Sequence, residues 1–156
     1  MPTILLLSGP NLNLFGDRQP EIYGTATLDD LVGDARAAAH ANGYEIEHVQ
    51  SNHEGALIDA IQGARRRCVA IVINPGAFGH YAHAIADALS TFDGPKVELH
   101  VSNPLAREAW RHTSVIAPYV TGTIQGFGRA GYHLAVIAAI SQVPPSSTAP
   151  PSQRAQ

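Results

Sequence analysis

The 156-residue sequence holds one cysteine and one lysine, and it carries no excess of positive charge, with a formal net charge of -3. Each scarcity excludes something. A single cysteine, Cys68, forms no internal disulfide, which fits a reducing cytoplasm. It sits in an apolar run and reads as a small core residue. A single lysine, Lys96, follows Asp93-Gly94-Pro95 in what reads as an exposed turn, poor ground for an amine nucleophile that must be desolvated to react. The acidic balance argues against nucleic acid as a partner, and Arg65-Arg66-Arg67 is too short a run to reverse it. No apolar run approaches the roughly 20 residues of a membrane span, and no signal peptide is visible.

What is present is a globular composition, 45% hydrophobic and 15% charged, in a chain of one-domain length. Five apolar runs, at 3–8, 44–50, 68–74, 97–102 and 119–125, alternate with helix-like segments. The second alternates polar and apolar residues and reads as an edge strand; the first and third read as central parallel strands. Thr27 with Asp30 resembles a capping box, and Asn42-Gly43 a helix stop. Ser51 with Glu54 resembles a second box. Asn103-Pro104 reads as an N-cap with proline at the first helical position, and a last helix covers about 130–141. Strict alternation implies an α/β, flavodoxin-like open five-stranded parallel sheet of order 2-1-3-4-5, with helices on both faces. The domain is expected over 1–142, followed by a disordered Pro/Ser-rich tail at 143–156.

Sixteen residues, 9 to 24, separate the first strand from the first long helix, where about 2–6 suffice. Within them Gly16 and Gly24 bracket Arg18 and Tyr23. The reading is an active-site lid over 16–24 that carries a cation and a phenol.

Ligands of open α/β sheets bind beyond the carboxyl ends of the strands, where strand order reverses. Strands one and three end there in Gly9-Pro10-Asn11 and Asn74-Pro75-Gly76, so Asn11 and Asn74 stand at the mouth, as turn-formers or as ligands. In strand four, Glu98 and His100 share one face. A buried Glu-His pair is either structural or a general acid oriented by its carboxylate. The amides after it, Val101 to Asn103, approach a helix start and suit an anion. Arg107 and Arg111 fall one helical turn apart; a solvent stripe is the reading for Arg107, and Arg111 stays open. His80-x-x-His83 with Asp87 has metal-permitting spacing but no third motif, so no metal is assigned. His80 instead reads as a crevice residue and His83 as surface. Gly126-x-Gly128-x-x-Gly131 matches a dinucleotide fingerprint at the wrong strand and reads as a tight turn with close helix packing; no cofactor is assigned.

Taken together, Gly9-Pro-Asn-Leu-Asn-Leu, Arg18 to Gly24, Gln50-Ser-Asn-His-Glu-Gly55, Asn74-Pro-Gly-Ala, Val97-Glu-Leu-His-Val-Ser-Asn103, Ala106-Arg-Glu108 and the glycines of 121–128 resemble the type II 3-dehydroquinate dehydratases, the type II dehydroquinases. The resemblance spans about residues 4–141. It implies a hydro-lyase that, without metal or cofactor, eliminates water from 3-dehydroquinate to give 3-dehydroshikimate through an enolate. On it Tyr23 is the proton acceptor, Arg18 stabilises the transition state, Asn11 holds the enolate water, and His100, oriented by Glu98, is the proton donor. Asn74, Val101, Ser102, His80 and Arg111 bind substrate. Asp87 reaches in from a neighbouring subunit of a homododecamer built of trimers. Two stretches depart from the family pattern. Gly79-His80-Tyr81-Ala82 lacks the small hydroxylated residues, and Ala86 replaces an arginine before Asp87.

The chemistry implied is physically coherent. A free phenol, with pKa near 10, is a poor base at neutral pH, and bringing one toward 7 takes roughly 4 kcal/mol of preference for phenolate. A guanidinium in a water-excluded site supplies that scale, which is a reason for Arg18 to ride on the same flap and to matter more than Arg107. The alternative is a non-enzymatic flavodoxin-like phosphate- or nucleotide-binding module, which should show a glycine-rich anion loop after strand one.

Overall fold

The computed structural model describes residues 1–145. Five strands, β1 (Thr3–Ser8), β2 (Glu45–Gln50), β3 (Cys68–Asn74), β4 (Lys96–His100) and β5 (Gly122–Gln125), form one parallel sheet in the order 2-1-3-4-5. The helices are α1 (Pro20–Tyr23), α2 (Leu28–Ala41), α3 (Glu54–Ala64), α4 (His83–Ser90) and α5 (Ala130–Ser141). The expected tail at 143–156 lies largely outside the described residues.

Alternation along the strands splits the core into two layers. Ile4 and Leu6 of β1 with Ala70 and Val72 of β3 pack under α2 and α5. Leu5 and Leu7 with Ile71 and Ile73 face α3 and α4. Both faces of β1 and β3 are therefore dry, which is why these strands read as unbroken apolar runs. At β4 the partition has a consequence for chemistry. Val97 and Leu99 take the α2/α5 side, so Glu98 and His100 emerge toward the α3/α4 side, while Asn74 shares the α2/α5 side with Val72.

Local signals explain most boundaries. Thr27 and Asp30 make the reciprocal capping box at the start of α2, at 3.0 and 3.2 Å. Gly43, at φ +82°, stops the same helix. The Ser51–Glu54 box does not form: His53 is the N-cap of α3, and Ser51 Oγ accepts from the His53 amide instead. The expected helix after Asn103 is also absent. Asn103 caps as foreseen, accepting from the Leu105 amide, but the chain breaks into 3-10 turns at Pro104–Ala106 and Ala109–Arg111, with Arg107 extended between them. Lys96 is not in an exposed turn; it opens β4, and its ammonium donates to the carbonyls of Leu89 and Phe92 at the end of α4.

The glycine cluster after β5 does the packing work expected of it. A Cβ at Gly131 would lie 2.9 Å from Leu99 Cδ1, so the bare position lets α5 seat on β4. The amides of Gly126 and Gly128 take the carbonyls of His100 and Val101, fixing the end of β4.

Candidate active site

The loops after β1 and β3 meet almost backbone to backbone. The Gly9 amide donates to Asn74 O at 2.8 Å, and a Cβ on Gly9 would sit 2.1 Å from Pro75 O. Only glycine permits that approach. It brings Asn11, in the left-handed region at φ 67° where asparagine is tolerated, beside Asn74 and Gly76 at the head of one crevice. The Asn11 amide is tied to Asn52 Oδ1 at 3.0 Å.

The crevice is lined by Asn11, Arg18, Tyr23, Asn74, His80, His100, Val101, Ser102 and Arg111, together with Arg107. Two proposed site residues do not line it: Glu98, buried behind His100, and Asp87, which lies exposed on α4. His83 is likewise exposed at the start of α4, and the described residues hold no group of three or more His, Cys, Asp and Glu able to bind a metal.

On the acid side, His100 Nε2 lies 2.8 Å from Glu98 Oε2, in a pair that is 8% and 2% exposed. Ser114 Oγ donates to the other carboxylate oxygen at 2.7 Å. Both Glu98 oxygens are thus paired, which is the condition for burying a carboxylate at all. His100 keeps Nδ1 for the crevice. His80 stacks on it, with ring centroids 6.0 Å apart, and its own Nδ1 is engaged with Thr113 O at 2.8 Å. Burial, ahead of the neighbouring His100 and Arg111 charges, holds His80 below the ordinary imidazole value, so it is a neutral hydrogen-bonding group near pH 7. Trp110 meets His80 edge-on at 5.3 Å, and Arg111 lies over the Trp110 ring at 4.1 Å while its Nε donates to Glu108 at 2.9 Å.

The flap forms another wall of the crevice. Gly16 and Gly24 have φ of +97° and +79°, and the short helix α1 between them delivers Tyr23. Its ring packs against Phe15 at 5.5 Å. Arg18 is beside it as expected, but over the ring, 5.1 Å from the centroid. The residue on the phenol oxygen is Arg107, whose Nη1 donates to Tyr23 Oη at 2.8 Å and to Ser102 Oγ at 3.2 Å. The solvent-stripe reading of Arg107 is therefore corrected: its side chain is 12% exposed and crosses from one wall of the crevice to the flap. A helical spacing argument missed it because the segment is not a helix; the Ala106-Arg-Glu108 text was the available signal. Arg107 Nε is buried without a hydrogen-bond partner among the described residues, the nearest carboxylate oxygen being Glu108 Oε1 at 3.9 Å.

Residues 2–140 match the family model described as Dehydroquinase class II. The chain is 50% identical to a 3-dehydroquinate dehydratase of Bacillus subtilis, with 91% of this chain and 96% of the relative aligned. It is 53% identical to a catabolic 3-dehydroquinase of Aspergillus clavatus over 86% of this chain and 89% of that one. The crystal structure of the type II dehydroquinase from Propionibacterium acnes superposes with a TM-score of 0.86 at 42% identity, covering 90% of this chain and 97% of that structure. Family model, identity and matched length agree, and the chain belongs to the class II dehydroquinase family.

Proposed function

We propose that this chain dehydrates 3-dehydroquinate to 3-dehydroshikimate, with Tyr23 as the base that opens the reaction and His100 as the acid that completes it. Tyr23, as phenolate, takes a proton from the carbon next to the ketone and leaves an enolate. A water held by Asn11 steadies the enolate oxygen. The C–O bond to the hydroxyl then breaks as His100 delivers its proton, the C=C bond forms, and water departs. One proton is taken by Tyr23 and one is given by His100, so the return of the proton from phenol to imidazole resets the site.

The observation that carries this reading is the Tyr23 hydroxyl on a glycine-hinged flap with a guanidinium 2.8 Å away. A cation bonded to the phenol oxygen stands where charge develops in the reaction, and acts more strongly where water is excluded. Arg18 adds a second positive charge from the ring side. Asn74 and the amides of Val101 and Ser102 receive the substrate carboxylate, and His80 and Arg111 the ring hydroxyls. The unpartnered Arg107 Nε supports an anionic occupant, since a buried N–H gains from meeting one.

The finer setting follows from the same reading. Asp87, exposed on α4, serves a neighbouring subunit's crevice in a homododecamer of trimers, and the enzyme acts in the cytoplasm in aromatic biosynthesis or quinate breakdown. Addition of 3-dehydroquinate to purified protein gives rising enone absorbance, and Tyr23→Phe lowers kcat by orders of magnitude at nearly constant KM. Near-normal turnover of that variant refutes the base assignment, and light scattering that finds a monomer refutes the assembly.

A further inference from the structure

Behind the crevice, on the α2/α5 side of the sheet, four polar side chains from four elements stand together. Asn74 Nδ2 donates to Tyr132 Oη at 3.0 Å. Ser8 is a near neighbour of the Tyr132 hydroxyl, and Ser8 Oγ lies 2.9 Å from His48 Nε2. Ser8 and Tyr132 are wholly buried and Asn74 is 2% exposed. Only Asn74 reaches the crevice. The register explains the proximity: Ser8 pairs with Asn74 across β1 and β3, His48 enters from the edge strand, and Tyr132 descends from α5.

Tyr132 has one proton, and burial pushes its hydroxyl up to about 12, so it stays protonated. Its oxygen accepts from Asn74. Burial first, then the Arg36 charge, against Asp29, holds His48 below the ordinary imidazole value, so Ser8 meets a neutral ring there. Two neighbours decide how the Asn74 amide sits. Its NH2 must face Tyr132, its Oδ1 accepts from the Gly76 amide at 3.3 Å, and one Nδ2–H remains uncommitted. A flipped amide would set its NH2 against the Gly76 N–H, donor against donor, and turn its oxygen toward Tyr132.

We infer that Tyr132, Ser8 and His48 are positioning residues that hold Asn74 with an N–H donor presented to the substrate carboxylate. This rests on the reading of Asn74 as a substrate ligand. Fixing an amide of that kind contributes to binding in ground and transition states alike, so its loss appears in KM rather than kcat.

The test is steady-state kinetics with 3-dehydroquinate on Asn74→Ala, Tyr132→Phe, Ser8→Ala and the double variant Asn74→Ala/Tyr132→Phe. Ser8→Ala and the half-buried His48→Gln cover the case in which Tyr132→Phe fails to fold. Expected are a KM raised about five- to tenfold in Tyr132→Phe and Ser8→Ala, the scale of one buried hydrogen bond, and a kcat within twofold of the parent. In the Asn74→Ala background Tyr132→Phe adds nothing further, because the group it positions is gone. A KM unchanged in Tyr132→Phe and Ser8→Ala while Asn74→Ala raises it overturns the positioning chain alone. Equal effects of Tyr132→Phe in both backgrounds overturn it too. An unchanged KM in Asn74→Ala overturns the assignment of Asn74 and the chain with it.

Discussion

Arg107 donates to the Tyr23 hydroxyl at 2.8 Å although 84 residues separate them in sequence. The bond joins the wall of the crevice to the flap, so the same contact that puts a cation on the phenol oxygen also latches the flap down. Both guanidinium carbons lie 5.1 Å from the Tyr23 ring centroid, and Arg107 is the one hydrogen-bonded to its oxygen. That contact leads to an expectation opposite to the one drawn from the flap's composition. Arg107→Ala should cut kcat by about a hundredfold or more, the scale of losing a preorganised charged donor, and at least as severely as Arg18→Ala. Arg107→Lys should recover little, because the lysine ammonium ends one bond short of Nη1, the nitrogen that donates to both Tyr23 and Ser102. Parallel kcat and KM measurements on the three variants check this; an Arg107→Ala enzyme with near-parental kcat would contradict it.

Residues whose environment is set by strand alternation were legible in advance. Glu98 and His100 share a face because the period of a strand is two, and the burial of β1 and β3 on both sides was written in their apolar runs. Asn11 and Asn74 were placed by the rule that ligands gather at the switch in strand order. What stayed hidden depended on nonlocal fit. Arg107 was misread because Asn103-Pro104 looks like the start of an α-helix, whereas the turns that follow leave Arg107 extended and aimed inward. Ser114 was invisible for the same reason: nothing in its neighbourhood reveals that Glu98 lies within reach of its hydroxyl. Lys96 looked exposed because it follows a turn, yet the open carbonyls ending α4 draw its ammonium in.

Ser114 and His100 divide the Glu98 carboxylate between them, at 2.7 and 2.8 Å. Removing Ser114 leaves one buried oxygen unpaired, whereas Glu98→Gln removes the charge that faces His100 Nε2. The first should lower kcat modestly, by about tenfold, and the second more. Each lost hydrogen bond to a charged group is worth about 1.5–3 kcal/mol. Rate measurements at saturating substrate test the order, and a Ser114→Ala variant slower than Glu98→Gln would refute it.

His48 and His80 are both held below the ordinary imidazole value, chiefly by burial. The unfolded chain therefore binds protons that the folded chain refuses. The stability each ring contributes is complete above the unfolded value of about 6.5 and is lost as pH falls through the lower folded value. Asp34 and Glu47, lowered by bonds to Arg129 and Arg67, lose theirs only further down, below the ordinary carboxylate range. The melting temperature should thus begin to fall below about pH 6.5, before any carboxylate titrates. His48→Gln should flatten that first slope, as thermal denaturation across pH 5–8 would reveal; an identical slope would refute the assignment.

Lys96 lies at the amino end of β4, away from the crevice at the carboxyl ends, and burial lowers its pKa. A lowered amine is a familiar sign of Schiff-base chemistry, but here its donors are spent on the end of α4. Lys96→Met should lower the melting temperature by a few degrees and leave kcat unchanged, and borohydride with substrate should not inactivate the parent. Inactivation would move the chemistry to Lys96.

Gly9 gives the sharpest test of how the fold makes the site. A methyl group there would stand 2.1 Å from Pro75 O and 2.6 Å from Pro75 C, both backbone atoms with no rotamer to yield. Gly9→Ala must therefore part the loops after β1 and β3. The hydrogen bond from the Gly9 amide to Asn74 O breaks with them, and Asn11 is carried away from Asn74. Overpacking of this kind costs about 1–3 kcal/mol or more, and the displaced asparagines should lower kcat/KM beyond what the fraction folded explains. Gly55→Ala is the matched control, since nothing lies within 4 Å of its added Cβ and it stands inside α3. Helix propensity predicts stabilisation there, by up to about 1 kcal/mol. Denaturant melts and kinetics on the pair decide the point. If Gly9→Ala retains full kcat/KM per folded molecule, the contact between the two loops does not set the geometry of the crevice.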